Sequence, residues 1–151
     1  MRAIIQRING AVITIDGNET REIGEGIVVF MCAMVGDSEQ QADYLAQKVC
    51  ALRIFKDDQG KMNRSLIDIG GDALIVSNIT LSADMKHGNR PDFSRSAPPQ
   101  EARHLYDYFV EQVKKQKIGR VCTGEFGAHM HVDVQNDGPV NIIIDTERIG
   151  K

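Results

Sequence analysis

"MHVDVQNDGPVNIIID", Met130 to Asp145, holds two strand-like runs, Met130–Gln135 and Val140–Asp145, on either side of Asn136-Asp137-Gly138-Pro139. Asp-Gly between two such runs predicts a β-hairpin. Pro139 complicates that reading, because it fixes φ near −65° and removes an N–H that the second strand would use in its ladder. On the residues alone two readings stay open. Pro139 opens the second strand with an ordinary trans bond, or the dipeptide serves something other than chain reversal.

Working back from this stretch, the period of the pattern changes several times. Met1–Ile8 and Ala11–Ile15 read as two strands, Asp16-Gly17-Asn18 as a turn, and Ile27–Met31 as a continuous apolar strand. From Ser38, a predicted N-cap with Gln41 three residues on, the residues Ala42, Leu45, Ala46, Val49 and Leu52 recur at helical spacing. Lys56–Ser65 is a polar loop and Ala73–Ile79 a further apolar strand ending in "SNITL", Ser77 to Leu81. Pro98-Pro99 opens a second helix with an apolar stripe of Ala102, Leu105, Tyr106, Phe109 and Val113, expected to end at Gly119. The order β, β, β, α, β, α, β, β predicts one α/β domain over residues 1–151, with a mixed sheet and two main helices.

Composition narrows the class of function. The chain has 151 residues, is 42% hydrophobic, and has only four prolines and no low-complexity run, so a sizeable single core is expected. No stretch approaches the ~20 apolar residues that span a bilayer, and a cytoplasmic protein without membrane contact is expected. Cys32, Cys50 and Cys122 lack C-x-x-C spacing, which points to core thiols rather than disulfides or zinc. A net charge of −3 gives no broad basic footprint, so DNA is not expected as a partner and any RNA contact must be local.

Three groups of residues could carry chemistry. Ser82–Ala97 is longer than most structureless loops and holds Lys86, His87, Arg90 and Arg95, able to meet phosphate or to be a solvated face. His129 and His131 sit two apart on one strand face, but with no third ligand in view they predict packed or surface rings and no metal. Ser77 and Thr80 carry hydroxyls with no base in the neighbouring sequence. Where a strand stops, its main-chain N–H groups are left to point at a ligand, and these are the better candidates.

In "MRAIIQR", "LRIFKDDQGKMNRSL", "SNITL", "RPDFS…APP", "TGEFGAHM" and "NDGPV", taken in that order, the chain closely resembles the D-aminoacyl-tRNA deacylases along nearly its whole length. The resemblance implies an enzyme without cofactor that hydrolyses the ester at the 3′ end of D-aminoacyl-tRNA, and glycyl-tRNA mischarged on other tRNAs, releasing the amino acid. It implies a homodimer in which Gly138-Pro139, joined by a cis bond, reaches into the partner's site and rejects L-residues. A cis bond keeps successive carbonyls on one side, and glycine removes the Cβ that would prevent close approach. Such a wall admits a hydrogen on the substrate Cα and excludes a Cβ. By the same resemblance Arg7 orients the dipeptide, Ser77, Asn78, Ile79 and Thr80 form the catalytic turn with main-chain donors at Ile79 and Thr80, and Phe126, Met130 and Phe93 take the adenosine end of the tRNA, with Lys86 and Arg90 on its backbone.

The chain also departs from the pattern it resembles. Asn78 stands where glutamine is usual, Asn141 where threonine is usual, and His129 where an acidic residue is common. These changes define the alternative: a catalytically altered paralogue that binds tRNA ends or a protein partner without turnover.

Overall fold

Alternate burial along the first segment, with Ala3, Ile5, Ala11, Ile13 and Ile15 inside, makes one long strand rather than two. In the computed structural model, which describes residues 1–148, β1 (Arg2–Ile15) is the spine of the fold. One edge of β1 is shared by two partners: β3 (Gly26–Cys32) pairs with Arg2–Ile8, and β2 (Glu19–Ile23) with Ala11–Ile15. The other edge carries β8 (Met130–Asp145) throughout. The hairpin expected at Asn136–Val140 is therefore not formed. Gln6 pairs with Asn141 and Ile8 with Asn136, so Asp137, Gly138, Pro139 and Val140 bulge out opposite Arg7 alone within a single strand. The proline is tolerated because the bulge asks no ladder hydrogen bond of it.

Beyond β3 the sheet is parallel, continuing to β6 (Asp72–Ser77) and β7 (Val121–Thr123). The two crossovers carry α1 (Glu39–Ala51) and α3 (Pro99–Lys114). α1 starts where expected, with the Gln41 side chain accepting from the Ser38 N–H at 2.8 Å. Pro99 occupies the first turn of α3, where its missing N–H costs nothing. The helix stops at Lys114, short of Gly119, which instead enters β7 with its N–H donating to Gly71 O at 2.7 Å. Three further elements escape the hydrophobic pattern: β2, β7 and a small hairpin of β4 (Phe55–Lys56) and β5 (Met62–Arg64) in the stretch read as a loop. A four-residue helix, α2 (Leu66–Ile69), follows that hairpin, capped by Ser65.

The sheet has a core on each face. Ala3, Ile5, Ile27, Val29, Met31 and Ile75 pack against Leu45, Val49, Leu105, Phe109 and Val113 of α1 and α3. On the opposite face Val28, Leu74 and Val76 meet Ile8, Ile13, Ile15 and Ile23, because the far half of β1 coils over with β2 and β8. Arg21 of β2 fastens the coil, donating to Thr123 O of β7 at 2.7 Å. Each fully buried isoleucine or phenylalanine contributes about 1.5–3 kcal/mol of transfer free energy. Asp72 ties the other end together: its carboxylate accepts from the N–H groups of Gly24 (2.9 Å) and Arg120 (2.8 Å). None of the described helices is long and apolar enough to cross a membrane.

Candidate active site

In open α/β sheets a crevice forms beyond the C-terminal ends of the parallel strands. Here β3 and β6 end side by side, Met31 paired with Ser77, and a pocket of about 350 Å³ opens beyond them. Its floor is Met31, Cys32 and Ser77, and one side is Ile79 with the start of α3 at Pro99 and Ala102. The remaining wall is Phe126, Gly127, Ala128 and Met130. Ala97 N–H donates to Ala33 O at 3.0 Å and Gly124 N–H to Ile75 O at 3.0 Å, fixing two of these walls to the sheet. A larger groove of about 580 Å³ lies between the starts of α1 and α3, but it is open, lined mostly by polar residues, and holds none of the candidate catalytic or binding residues.

Four of the expected residues, Ser77, Ile79, Phe126 and Met130, thus meet in one mainly apolar pocket although they are far apart in sequence. The Phe126 ring stands 6.1 Å from that of Tyr106, whose buried hydroxyl donates to Ile75 O at 2.9 Å. Gly124 makes the space for Met130. A Cβ there would fall 2.4 Å from the Met130 sulfur and 3.2 Å from Ile13.

The turn after Ser77 is a short 3₁₀ helix, Ile79–Ser82, so the strand ends two residues earlier than its apolar run suggests. Asn78 caps it. Its N–H donates to Met31 O at 2.8 Å, and its side-chain oxygen accepts from both the Thr80 N–H (3.2 Å) and the Thr80 hydroxyl (2.5 Å). One of the two main-chain donors expected to be free is therefore already engaged by the shorter amide at position 78. The Ile79 N–H has no partner among the described residues, and Ile79 is 54% exposed at the pocket. Among the described residues no histidine, lysine or carboxylate lines the pocket, so neither hydroxyl has a base of these beside it. Cys32, a pocket residue that sequence reasoning placed in the core, is no substitute: burial pushes its thiol up against the opposing pull of the N-terminal ammonium.

Arg7 and Gly138-Pro139 lie elsewhere. Arg7 is buried, and its guanidinium donates to Asp137 O (3.0 Å) and Ile54 O (2.7 Å) and pairs with the Asp137 carboxylate (3.2 Å). It thereby anchors the residue before the dipeptide. The Gly138-Pro139 bond is cis, and both residues are exposed. A Cβ on Gly138 would sit 2.3 Å from Val140 N. Arg7 pairs with Ile27, four residues along β3 from Met31, so the dipeptide is offset by about 13 Å along the strand from the β3 end of its own pocket, at ~3.3 Å per residue.

The remaining candidates are outside the pocket lining. Lys86 and Arg90 are exposed on a loop narrowed by a two-way hydrogen-bonded bridge between Asp84 and Asp92, with Lys86 3.7 Å from the Asp84 carboxylate. Phe93 is half-buried and its carbonyl accepts from Ser96. His131, just after the first residue of β8, lies 3.4 Å from Asp133, His129 just precedes the strand, and both residues are exposed. No group of three metal-ligating side chains occurs among the described residues.

The family described as D-Tyr-tRNA(Tyr) deacylase matches residues 4–145. A D-aminoacyl-tRNA deacylase of Ruegeria pomeroyi is 54% identical over 145 residues, 96% of this chain and 99% of that one. Its counterpart from Thermosipho melanesiensis is 46% identical over 149 residues, covering 99% of each. Among solved structures, the c-Myc DNA unwinding element binding protein superposes with a TM-score of 0.89 at 36% identity, covering 96% of this chain and 98% of its own. A probable eukaryotic D-amino acid tRNA deacylase superposes at 0.82 with 16% identity, over 95% of this chain and 97% of its own, which speaks to the fold alone. The chain belongs to the D-Tyr-tRNA(Tyr) deacylase family, and it is a hydrolase of the D-aminoacyl-tRNA deacylase kind.

Proposed function

We propose that this pocket receives the 3′-terminal aminoacyl-adenosine of a tRNA and that hydrolysis there rests on main-chain donors rather than on a side-chain nucleophile. The observation that carries the reading is the meeting of Ser77, Ile79, Phe126 and Met130 in one apolar pocket with no side-chain base in its lining. An aminoacyl ester is already activated. Water adds to its carbonyl carbon, the bond to the ribose oxygen breaks, and the products are the free amino acid and the tRNA. The protein's part is to hold the ester and to offer N–H groups where negative charge develops, each donor contributing about 10²–10³-fold. Ile79 N–H is the first donor. Thr80 N–H joins it when the developing oxyanion outcompetes the Asn78 amide oxygen.

The working unit is a homodimer. The half of the sheet formed by Arg2–Gln6 and Asn141–Asp145 leaves Ile143 74% exposed, next to the protruding dipeptide. A second copy covers this face and brings its own Gly138-Pro139 to the pocket, since a chain's own dipeptide is too far along the strand to serve it. Main-chain atoms there reject a substrate Cβ while admitting the hydrogen of a D-residue or of glycine. Lys86 and Arg90 meet the tRNA backbone.

The test is deacylation of matched D-tyrosyl-, L-tyrosyl- and glycyl-tRNA, with and without chelator. Cleavage of the D- and glycyl-substrates, indifferent to chelator, with L-tyrosyl-tRNA intact, is expected. Equal turnover of the tyrosyl enantiomers would sink the chirality reading, and tRNA-end binding without turnover would favour the binding-only paralogue. Removing charge at Lys86 and Arg90 together is expected to lower affinity and its salt dependence.

A further inference from the structure

Phe126 is a ridge between two cavities. On one side is the apolar pocket; on the other a smaller one of about 240 Å³ lined by Arg103, Tyr106, Lys114 and Thr123 among others. The Arg103 guanidinium carbon stands 5.9 Å from the centroid of the Phe126 ring, within cation–π range. Arg103 follows Ala102, itself a pocket residue, and lines the cavity on the other side of Phe126.

The protein itself makes little use of the Arg103 side chain. Arg2, Arg7, Arg21 and Arg95 each donate to a carbonyl or a carboxylate. Arg103 makes no hydrogen bond among the described residues; its one ionic neighbour is Asp107 at 3.9 Å, and its side chain is 59% exposed. An exposed pair at that distance holds a side chain weakly. The guanidinium therefore keeps its forked donors for something else, while the Phe126 ring fixes where they point.

The geometry points to a phosphate subsite at Arg103: with the terminal nucleoside against Phe126 and Met130, the phosphate attached to its 5′ oxygen passes over the Phe126 edge and is held by the Arg103 fork. This inference rests on the pocket being a nucleoside seat. It assigns Arg103 to ligand binding, not to bond cleavage. The nearby carboxylates of Asp107, Glu125 and Glu111, the last paired with Lys114 at 2.9 Å, confine the favourable field to the guanidinium itself, so one phosphate is recognised rather than a run of them.

The probes are adenosine and adenosine 5′-monophosphate, titrated by NMR into the full chain and into Arg103→Ala and Arg103→Lys variants whose melting is checked first. The substituted position is exposed, so unchanged melting is expected. Arg103→Ala is expected to weaken the monophosphate about tenfold and leave adenosine unaffected, with Arg103→Lys intermediate because it keeps the charge but loses the fork. With whole D-tyrosyl-tRNA, KM is expected to rise at constant kcat. Equal weakening of both probes would make Arg103 only a prop for the Phe126 ring and overturn the subsite, as would no change for either. Binding is read without turnover, so the subsite stands or falls separately from deacylation; only a wild-type chain that binds neither probe would remove both.

Discussion

The two halves of the β1–β8 ladder are made from the same pair of strands yet treat their apolar residues in opposite ways. In the half formed by Ala11–Ile15 and Met130–Val134, Ile13 and Ile15 are buried because the sheet coils back over Val28, Leu74 and Val76. In the half formed by Arg2–Gln6 and Asn141–Asp145, Ile143 stays 74% exposed. Between the halves sits the bulge of Asp137–Val140, held by Arg7. Alternation thus specifies a strand but not what lies on its outer face, and a buried and an exposed stretch can share one ladder.

Substitution on the two halves should separate these roles. Ile143→Asp is expected to abolish dimer formation and with it turnover by orders of magnitude, while melting of the chain changes little; Ile13→Ala is expected to cost about 2–5 kcal/mol of stability and leave the assembly state intact. Sizing coupled to assay, with denaturant melts, reads both. A fully active Ile143→Asp monomer would contradict the contrast.

Arg7→Ala strikes the junction. It leaves the Ile54 and Asp137 carbonyls without their donor, and a loss of about 2–3 kcal/mol is expected together with weakened rejection of L-tyrosyl-tRNA. Unchanged enantiomer preference would detach Arg7 from the dipeptide's role.

Thr80→Val deletes a hydroxyl that is spent on Asn78 and leaves the main-chain donors in place, so it should cost on the order of 1 kcal/mol and retain most of the turnover. A fall of several orders of magnitude with tRNA binding intact, or an aminoacyl group trapped on Thr80 in a quenched reaction, would return the chemistry to a side chain.

The smallest effect concerns Asp72, remote from both halves. Burial acts to raise its carboxyl, but the Gly24 and Arg120 N–H groups and the Arg120 charge together hold it below the usual carboxylate range. A depressed folded-state pKa adds stability above the unfolded carboxyl pKa of about 3.9, and that stability is lost as pH falls through the folded value. Asp72→Asn is therefore expected to flatten the acid limb of the stability curve while leaving the dimer and the pocket untouched. An acid limb identical to that of the wild type would dismiss it.

The parts of the fold legible in the sequence are those whose side chains repeat: β3, α1, β6 and α3 announce themselves by period and by Ser38 and Pro98-Pro99. β2 and β7 do not, because each is short and gains its place from Arg21 and Asp72 rather than from apolar faces. Asp-Gly reads as a reversal because local preference cannot register that β1 offers a partner to both flanks. At the site, Ser77, Ile79, Phe126 and Met130 were reachable through motifs. Ala102, Cys32 and Arg103 were not, since an alanine, a buried thiol and a surface arginine carry no signal until β3 and α3 bring them beside the Phe126 loop.

The span of the β1–β8 ladder has a consequence for how the chain reaches this state. Arg2 meets Asp145 across 143 residues, so β1 is synthesised well before β8 and gains that neighbour only after the elements between them exist. Contacts of such high sequence separation slow folding, because chain entropy is lost before the pairing repays it. β2 and β3 share the opposite edge of β1, so the edge destined for β8 stays open until that strand emerges.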